Sequence, residues 1–308
     1  MTPSPPTAPS LGIDIGGSKT QAVLLDEQGR IVADHVRPTQ PGADGVLATA
    51  LAAARECVQR AGLRFSDLEG VGVGIPGRVD HHAGVVHTAV NLGIGRLPLG
   101  ERLGGLIGVE VRVDNDVKAT ALGVARQLDA HDADLSYLNF GTGVAAATLT
   151  GGRLVRGSDN LAGEIGHIPV RPGAGRCACG QDGCIEVVAG GAQLTQRLSR
   201  LTPAVSLGTL MGAAADGHRE AAAVAELAAS GIADAVQLMV LTQGSDWVVV
   251  GGGVIQTAPG LADLARQLLV ERASASAFLA SLDLPGRLVV APSGQPLAAV
   301  GAALLPKC

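Results

Sequence analysis

The sequence opens twice in the same way. The apolar strand Leu11-Gly-Ile-Asp-Ile15 runs into the small-residue turn Gly16-Gly-Ser-Lys19, an alternating strand, and the restart Gly29-Arg-Ile-Val32. Roughly half a chain later, Tyr137-Leu-Asn-Phe140 is followed by Gly141-Thr-Gly143 and the restart Gly152-Arg-Leu-Val155. Any two hairpins share some of this pattern. It also describes a duplicated pair of domains, each starting on a glycine-turn hairpin and facing its twin across a cleft. A nucleotide held by both turns would meet backbone N–H groups from two sides, and only a residue without Cβ lets the backbone come that close.

Composition narrows the alternatives. The 308 residues are 47% hydrophobic and 17% charged, which excludes disorder for the bulk of the chain. The 44 glycines follow no three-residue period, so they mark turns and close approaches rather than a collagen repeat. Phe65, Tyr137, Phe140, Trp247 and Phe278 are the only aromatics, too few for the stacking platforms of single-strand readers. A net charge of -5 leaves no footprint for a phosphate backbone, so a nucleic-acid partner is not expected.

Residues 1–10 are rich in Pro, Ser and Thr without a basic or apolar stretch, and read as a flexible tail rather than a signal peptide. The uncharged run Leu288–Pro306 is broken by Pro292 and Pro296 into a short strand and a short helix, so no membrane span is expected. An odd count of five cysteines without an export signal points to a reducing, cytoplasmic setting.

Between these features, strands alternate with Ala-rich helices. Strands are expected at 11–15, 20–25, 30–36, 70–75 and around Val109–Val113; helices are expected at 45–61, 118–128, 219–241, 260–272 and 297–305. The pattern implies a largely parallel α/β sheet with an antiparallel opening. The helix 221–241 reads as core or as an oligomer face.

Three glycine turns follow apolar strands. In the first, Gly16, Gly17, Ser18 and Lys19 offer donors to phosphate, and Asp14 could hold a hydrated Mg2+. The second is Gly141-Thr142-Gly143, and the third Gly251-Gly252-Gly253 after Val248-Val-Val250. None has Walker or Rossmann spacing, and each alone is an ordinary turn. Together they point to a nucleotide. Val113-Asp-Asn-Asp116 ends a strand and starts a helix; a carboxylate there can act as general base, while Asn115 or Asp116 can equally cap the helix.

His167 and the run Cys177-Ala-Cys179-Gly-Gln-Asp-Gly-Cys184 supply one imidazole and three thiols, the donor set of a closed, structural Zn2+ site. Gly180 and Gly183 permit the tight loop, which could aim Glu164 and Glu186 at a ligand. Cys57 reads as a small packing residue, Cys308 has no evident role, and His81 and His82 fall in a polar turn.

With these motifs assembled, the chain from Leu11 to about Leu305 resembles the ROK family of sugar kinases and repressors. The resemblance rests on Asp14–Lys19, Ile75-Pro-Gly77, Asn91-Leu-Gly93, Asn115-Asp116, Gly141-Thr-Gly143, Glu164-Ile-Gly-His167, the Cys177–Glu186 block and Gly251–Gly253. The Glu164-to-Glu186 block is its most specific part.

The resemblance implies an α/β protein of two ribonuclease H-like, actin-like ATPase domains around a cleft, with mixed sheets flanked by helices. One lobe is expected at 11–117 plus 288–308, the other, with the zinc loop, at 118–287. It implies ATP-dependent phosphorylation of a hexose, glucose to glucose 6-phosphate first among the choices, with Asp116 as base. Gly77, Asn115, Glu164, His167 and Glu186 would line or bind the sugar, His167 serving zinc through its other nitrogen. The alternatives are kinases for N-acetylmannosamine, N-acetylglucosamine or fructose, polyphosphate as donor, and a non-catalytic sugar sensor. The ten residues before the first strand are too few for the DNA-binding module of the family's repressors. A homodimer or homotetramer is expected. Departures from the family pattern are Ala145 for a glycine, Ile94 for a tryptophan, and Val117 and Lys118 just after the base.

Overall fold

The computed structural model describes residues 8–307. Most of the expected tail, and Cys308, therefore lie outside the described residues. The described chain forms two compact units, 8–133 with 149–162 and 294–307, and 134–148 with 163–293.

In the first unit, β1 (Ser10–Ile15), β2 (Lys19–Leu25) and β3 (Ile31–Pro38) form an antiparallel meander. Helix α1 (Ala43–Arg60) leads to β4 (Gly70–Ile75), which is buried along its whole length and runs parallel to β1. The hairpin β5 (Arg78–Asp80) and β6 (Val85–Thr88) and helix α2 (Leu99–Ile107) precede β7 (Val111–Asn115), parallel to β4. The sheet order is β3-β2-β1-β4-β7, the parallel sheet with an antiparallel opening that the sequence implies. Helix α3 (Asp116–Gln127) follows β7 without a loop.

The second unit repeats the scheme. β8 (Leu135–Phe140) turns through residues 141–143 into β9 (Val144–Thr150), whose last residues, with β10 (Arg153–Val155), return to the first unit. Helices α4 (Ile185–Ala189), α5 (Gly191–Leu198), α6 (Leu210–Ala215) and α7 (Arg219–Gln243) come before β11 (Trp247–Gly251). Then follow α8 (Gly253–Thr257), α9 (Gly260–Ser274), α10 (Ala277–Ser281), α11 (Leu284–Arg287) and β12 (Leu288–Val290). The order β9-β8-β11-β12 reproduces β2-β1-β4-β7, with β11 parallel to both neighbours. Among the described residues α7 alone is long and apolar enough to cross a membrane, yet 56% of its apolar window is buried inside the fold. Its Ala, Ile and Val face belongs to the core of this unit.

The last helix, α12 (Leu297–Ala302), belongs to the first unit. It lies so close to β1, β4 and α3 that four glycines are obligatory. A Cβ on Gly12, Gly72, Gly123 or Gly301 would strike the carbonyl of Ala299, Ala302, Leu297 or Ala119 respectively.

The division differs from the expected 118–287 second lobe at three places. Helix α3 goes with the first unit because its small face packs on α12. Residues 149–162 return to the first unit, and β12 stays with the second because it pairs with β11.

Candidate active site

In the first unit the candidate residues converge on the ends of β1, β4 and β7. Asp14 is half-buried near the end of β1, and its carboxyl is pushed up to about 7. Burial is the main cause, the nearby Asp116 carboxylate adds to it, and the Lys19 ammonium pulls the other way. The turn after it is closed by Gly16 N–H donating to Lys19 O at 2.8 Å, while Gly17, Ser18 and Lys19 stay exposed. Gly17 has no heavy atom nearer than 3.9 Å to the place of a Cβ, so the face of this turn is open.

Of the two residues that could cap the helix, Asn115 takes that role and Asp116 is the first residue of the helix. Asn115 is the N-cap of α3: its Oδ1 accepts from Val117 N at 3.0 Å and Lys118 N at 3.3 Å. Its Nδ2 donates to Gly77 O at 3.3 Å. Gly77 has a φ of +100°, and a Cβ would strike Thr88 O, so the glycine is demanded by its own backbone. Asp116 opens the helix, where Val117 N–H donates to Oδ1 at 3.0 Å. Burial holds the Asp116 carboxyl above the usual carboxylate range, against the pull of that N–H and of Lys118. A carboxyl raised in this way holds a proton more readily near neutral pH.

Beside this junction lies a network that sequence reasoning missed. Asp114, only 1% exposed, accepts from Arg156 Nε at 2.9 Å, Asn160 Nδ2 at 2.9 Å and Asn115 N at 2.8 Å. Lys118, which the sequence leaves as a stray cation two positions after Asp116, is 4% exposed and donates to the carbonyls of Asn160 and Ala162, each at 3.0 Å. Its partners lie more than 40 residues away, so no local pattern announces them. A cavity of about 220 Å³ in this unit is lined by Arg78, His81, His82, His87 and Asp159, and by Asn160 of the same network. Of the two histidines in the expected polar turn, His82 is exposed, while His81 is half-buried and held below the usual imidazole range by that burial.

In the second unit Glu164 is exposed and His167 half-buried, one on either side of a single helical turn. Glu186, in the first turn of α4, accepts from Val144 N at 3.1 Å. Its carboxylate lies where a Cβ on Gly143 would stand, so a side chain at that position would displace the tip of the acid. Gly251 and Gly252 are likewise required by the chain itself, against the Tyr137 ring and the Phe140 backbone; Gly253 faces open space.

The expected metal ligands come together. The donor atoms of His167, Cys177, Cys179 and Cys184 all lie within 4.8 Å of one another. Cys179 Sγ is 3.7 Å from Cys184 Sγ, and Cys177 Sγ is 3.6 Å from His167 Nδ1. A tetrahedron with zinc–sulfur bonds of about 2.3 Å has edges of about 3.8 Å, so the cluster fits Zn2+ with every position filled. Gly180 and Gly183 have φ of +92° and +73°, as the tight loop requires. Burial pushes the Cys184 thiol up to about 12, whereas the Gln181 hydrogen bonds draw Cys179 down to about 6; a dication would favour the thiolate at all three. Nδ1 of His167 faces the sulfurs, which leaves Nε2 for another partner. Cys57 is buried and donates to Ala22 O at 3.2 Å, a packing residue as expected.

Comparison with known proteins identifies the fold and the family. A glucokinase from Halalkalibacterium halodurans is 35% identical over 183 residues, 58% of this chain and 56% of the relative. A Streptomyces coelicolor glucokinase is 33% identical over 61% of this chain, and the match again spans only 58% of the relative's length. An N-acetylmannosamine kinase from Salmonella arizonae is 29% identical over 85% of this chain and 88% of its own. Among solved structures, a ROK hexokinase from Thermus thermophilus superposes with a TM-score of 0.83 at 28% identity, covering 96% of this chain and 97% of that one. A ROK glucokinase from Streptomyces griseus, in complex with glucose and AMPPNP, gives 0.73 at 28% identity, with 96% and 98% covered. The fold is that of the actin-like ATPases. The ROK family pattern matches residues 10–308, and the chain belongs to the ROK family.

Proposed function

We propose that this protein is an ATP-dependent sugar kinase that phosphorylates a hexose, with glucose the leading substrate. The observation that carries the reading is Asp116 at a rigid strand-to-helix junction, with a half-buried Asp14 near the end of β1 whose carboxyl is raised first by burial and then by the Asp116 charge. Phosphoryl transfer to an alcohol needs one carboxylate to receive the hydroxyl proton and another to neutralise phosphate through a metal.

In this reading Asp116 accepts the proton as the sugar oxygen attacks the γ-phosphorus, and the β–γ bridging oxygen leaves with ADP. Asp14 would hold a hydrated Mg2+, which when bound neutralises charge on the β- and γ-phosphates. Gly16, Gly17, Ser18 and Lys19, together with Gly141, Thr142 and Gly143, serve the phosphates; Gly251, Gly252 and Gly253 serve the adenosine side. Gly77 and Asn115 line the sugar, and Glu164, Glu186 and Nε2 of His167 bind its hydroxyls. Zn2+ on His167, Cys177, Cys179 and Cys184 is structural: with no open position it fixes the imidazole rather than reacting. A cytoplasmic, homo-oligomeric enzyme without nucleic-acid or membrane partner belongs to the same proposal.

A second reading, N-acetylmannosamine as acceptor, draws on the Salmonella arizonae enzyme, whose alignment covers 85% of this chain at 29% identity, much as a Thermotoga maritima glucokinase covers 85% at 27%. The test is coupled ADP release with Mg-ATP, and then with polyphosphate as donor. The acceptor panel is glucose, mannose, fructose, allose, N-acetylglucosamine and N-acetylmannosamine. At least one acceptor should turn over. Sugar binding with no turnover on any acceptor would replace the kinase by a sensor.

A further inference from the structure

We propose that Lys118 is a positioning residue for sugar binding: it anchors the segment 156–162, from which the chain runs directly to Glu164. The proposal rests on the kinase reading for its activity assay but not for its structural one.

The anchoring is dense. Lys118 Nζ takes the carbonyls of Asn160 and Ala162, each at 3.0 Å. Asp114 takes Arg156 Nε and Asn160 Nδ2, each at 2.9 Å, and Asn160 Nδ2 also reaches Val79 O at 3.1 Å. Every one of these groups belongs to the first unit, and the fixed partners sit on β5, β7 and the first turn of α3. The segment they hold would not choose this conformation alone. Asp159 and Asn160 are consecutive non-glycine residues with φ of +54° and +61°, and Gly157 and Gly163 flank them at +65° and +106°. Backbone of this kind persists where its surroundings over-determine it.

The choice of a buried ammonium is informative. A lysine at 4% exposure gives up nearly all its hydration, and an apolar side chain of similar length would fill the same space without that penalty. What only the ammonium supplies is several donors at one point, and here they gather two carbonyls that sit two and four residues before Glu164. Just beyond, Gly163 O accepts from Ala146 N at 2.8 Å and the chain is part of the second unit. Lys118 thus fixes where the chain leaves the first unit, from the same helical turn that presents Asp116.

The experiment compares the wild type with Lys118→Met and Lys118→Arg. Two readouts are taken: steady-state kinetics with each substrate varied, and hydrogen exchange of the amides at 161–167. For Lys118→Met we expect the KM for the hexose to rise about tenfold or more while the KM for ATP stays within about twofold, with faster exchange across 161–167. Lys118→Arg, which keeps charge and donors, should recover part of both. Equal changes in both KM values, or a lowered melting temperature with the hexose KM unchanged, overturns the proposal, since a merely structural lysine would do that. If Lys118→Met does not fold, Lys118→Gln, which keeps a single donor group, carries the same comparison. A wild type that phosphorylates no sugar sinks the kinase reading alone; the clamp is then judged by exchange, and unchanged protection at 161–167 sinks it.

Discussion

Replacing Asp14 by Asn should make the metal-free protein more stable, and more so as the pH rises. The folded-state pKa of Asp14 is raised to about 7 from 3.8, so the folded protein binds this proton more tightly than the unfolded chain. The resulting stability is fully present below the unfolded value and is lost as the pH rises through about 7. At about 1.36 kcal/mol per unit, ionising Asp14 costs at most about 4 kcal/mol near pH 8, and about half of that near pH 5.5. Asp14 is partly open to solvent, so half or less of this ceiling should be realised, roughly 1–2 kcal/mol near pH 8. For units of this size that is a rise in Tm of about 2–8 °C. Asn keeps the shape and removes the charge. The assay is thermal melting of both proteins in EDTA at several pH values between about 5.5 and 8. A variant whose Tm is unchanged or lower near pH 8, or whose gain does not shrink towards acid pH, would show that burial and the Asp116 charge do not act on Asp14 as argued.

Asp116→Asn should lower kcat by about 10²–10⁴ while leaving hexose affinity within a few-fold, because the amide oxygen still accepts from Val117 N; a variant that keeps a tenth of wild-type kcat removes Asp116 from its role. Cys184→Ser should abolish zinc binding and expose residues 171–184 to protease, read by metal content and limited proteolysis; metal-free wild type whose three thiols at Cys177, Cys179 and Cys184 titrate freely would refute the centre. Gly301→Ala places a methyl against Ala119 O and Gly123 N, which are backbone atoms unable to move aside, and should cost about 3 kcal/mol in urea unfolding; an unchanged midpoint would show that α12 can shift away.

The legible parts of the sequence were those whose partners are close in the chain. The buried strand 70–75 was recognisable from its apolar run, and the Cys3His cluster from three cysteines within eight residues plus one histidine. The two matching openings pointed to a pair of units each starting on a glycine-turn hairpin, while the shared strand order came only with the structure. The rest depends on distant partners. Nothing near Lys118 names the carbonyls of Asn160 and Ala162, and nothing near Gly143 names Glu186. Glycine was the most deceptive signal. Gly12, Gly72, Gly123 and Gly301 give up their Cβ to a helix of the same chain, and Gly251 and Gly252 to the chain's own Tyr137 and Phe140. A missing side chain records a close approach without naming what approaches.

Helix α12 also sets an order of events during synthesis. It fills the grooves opened by Gly12 and Gly72, yet it is translated after the whole of residues 163–293. As the chain emerges from the ribosome, β1 and β4 are available early and must wait with the grooves at Gly12 and Gly72 unfilled beside α3, while the second unit receives all of its strands before residue 294 is made. The half of the protein that begins first is therefore completed last. Ribosome-bound chains stopped short of Leu297 should hold a finished second unit and a first unit still open to solvent.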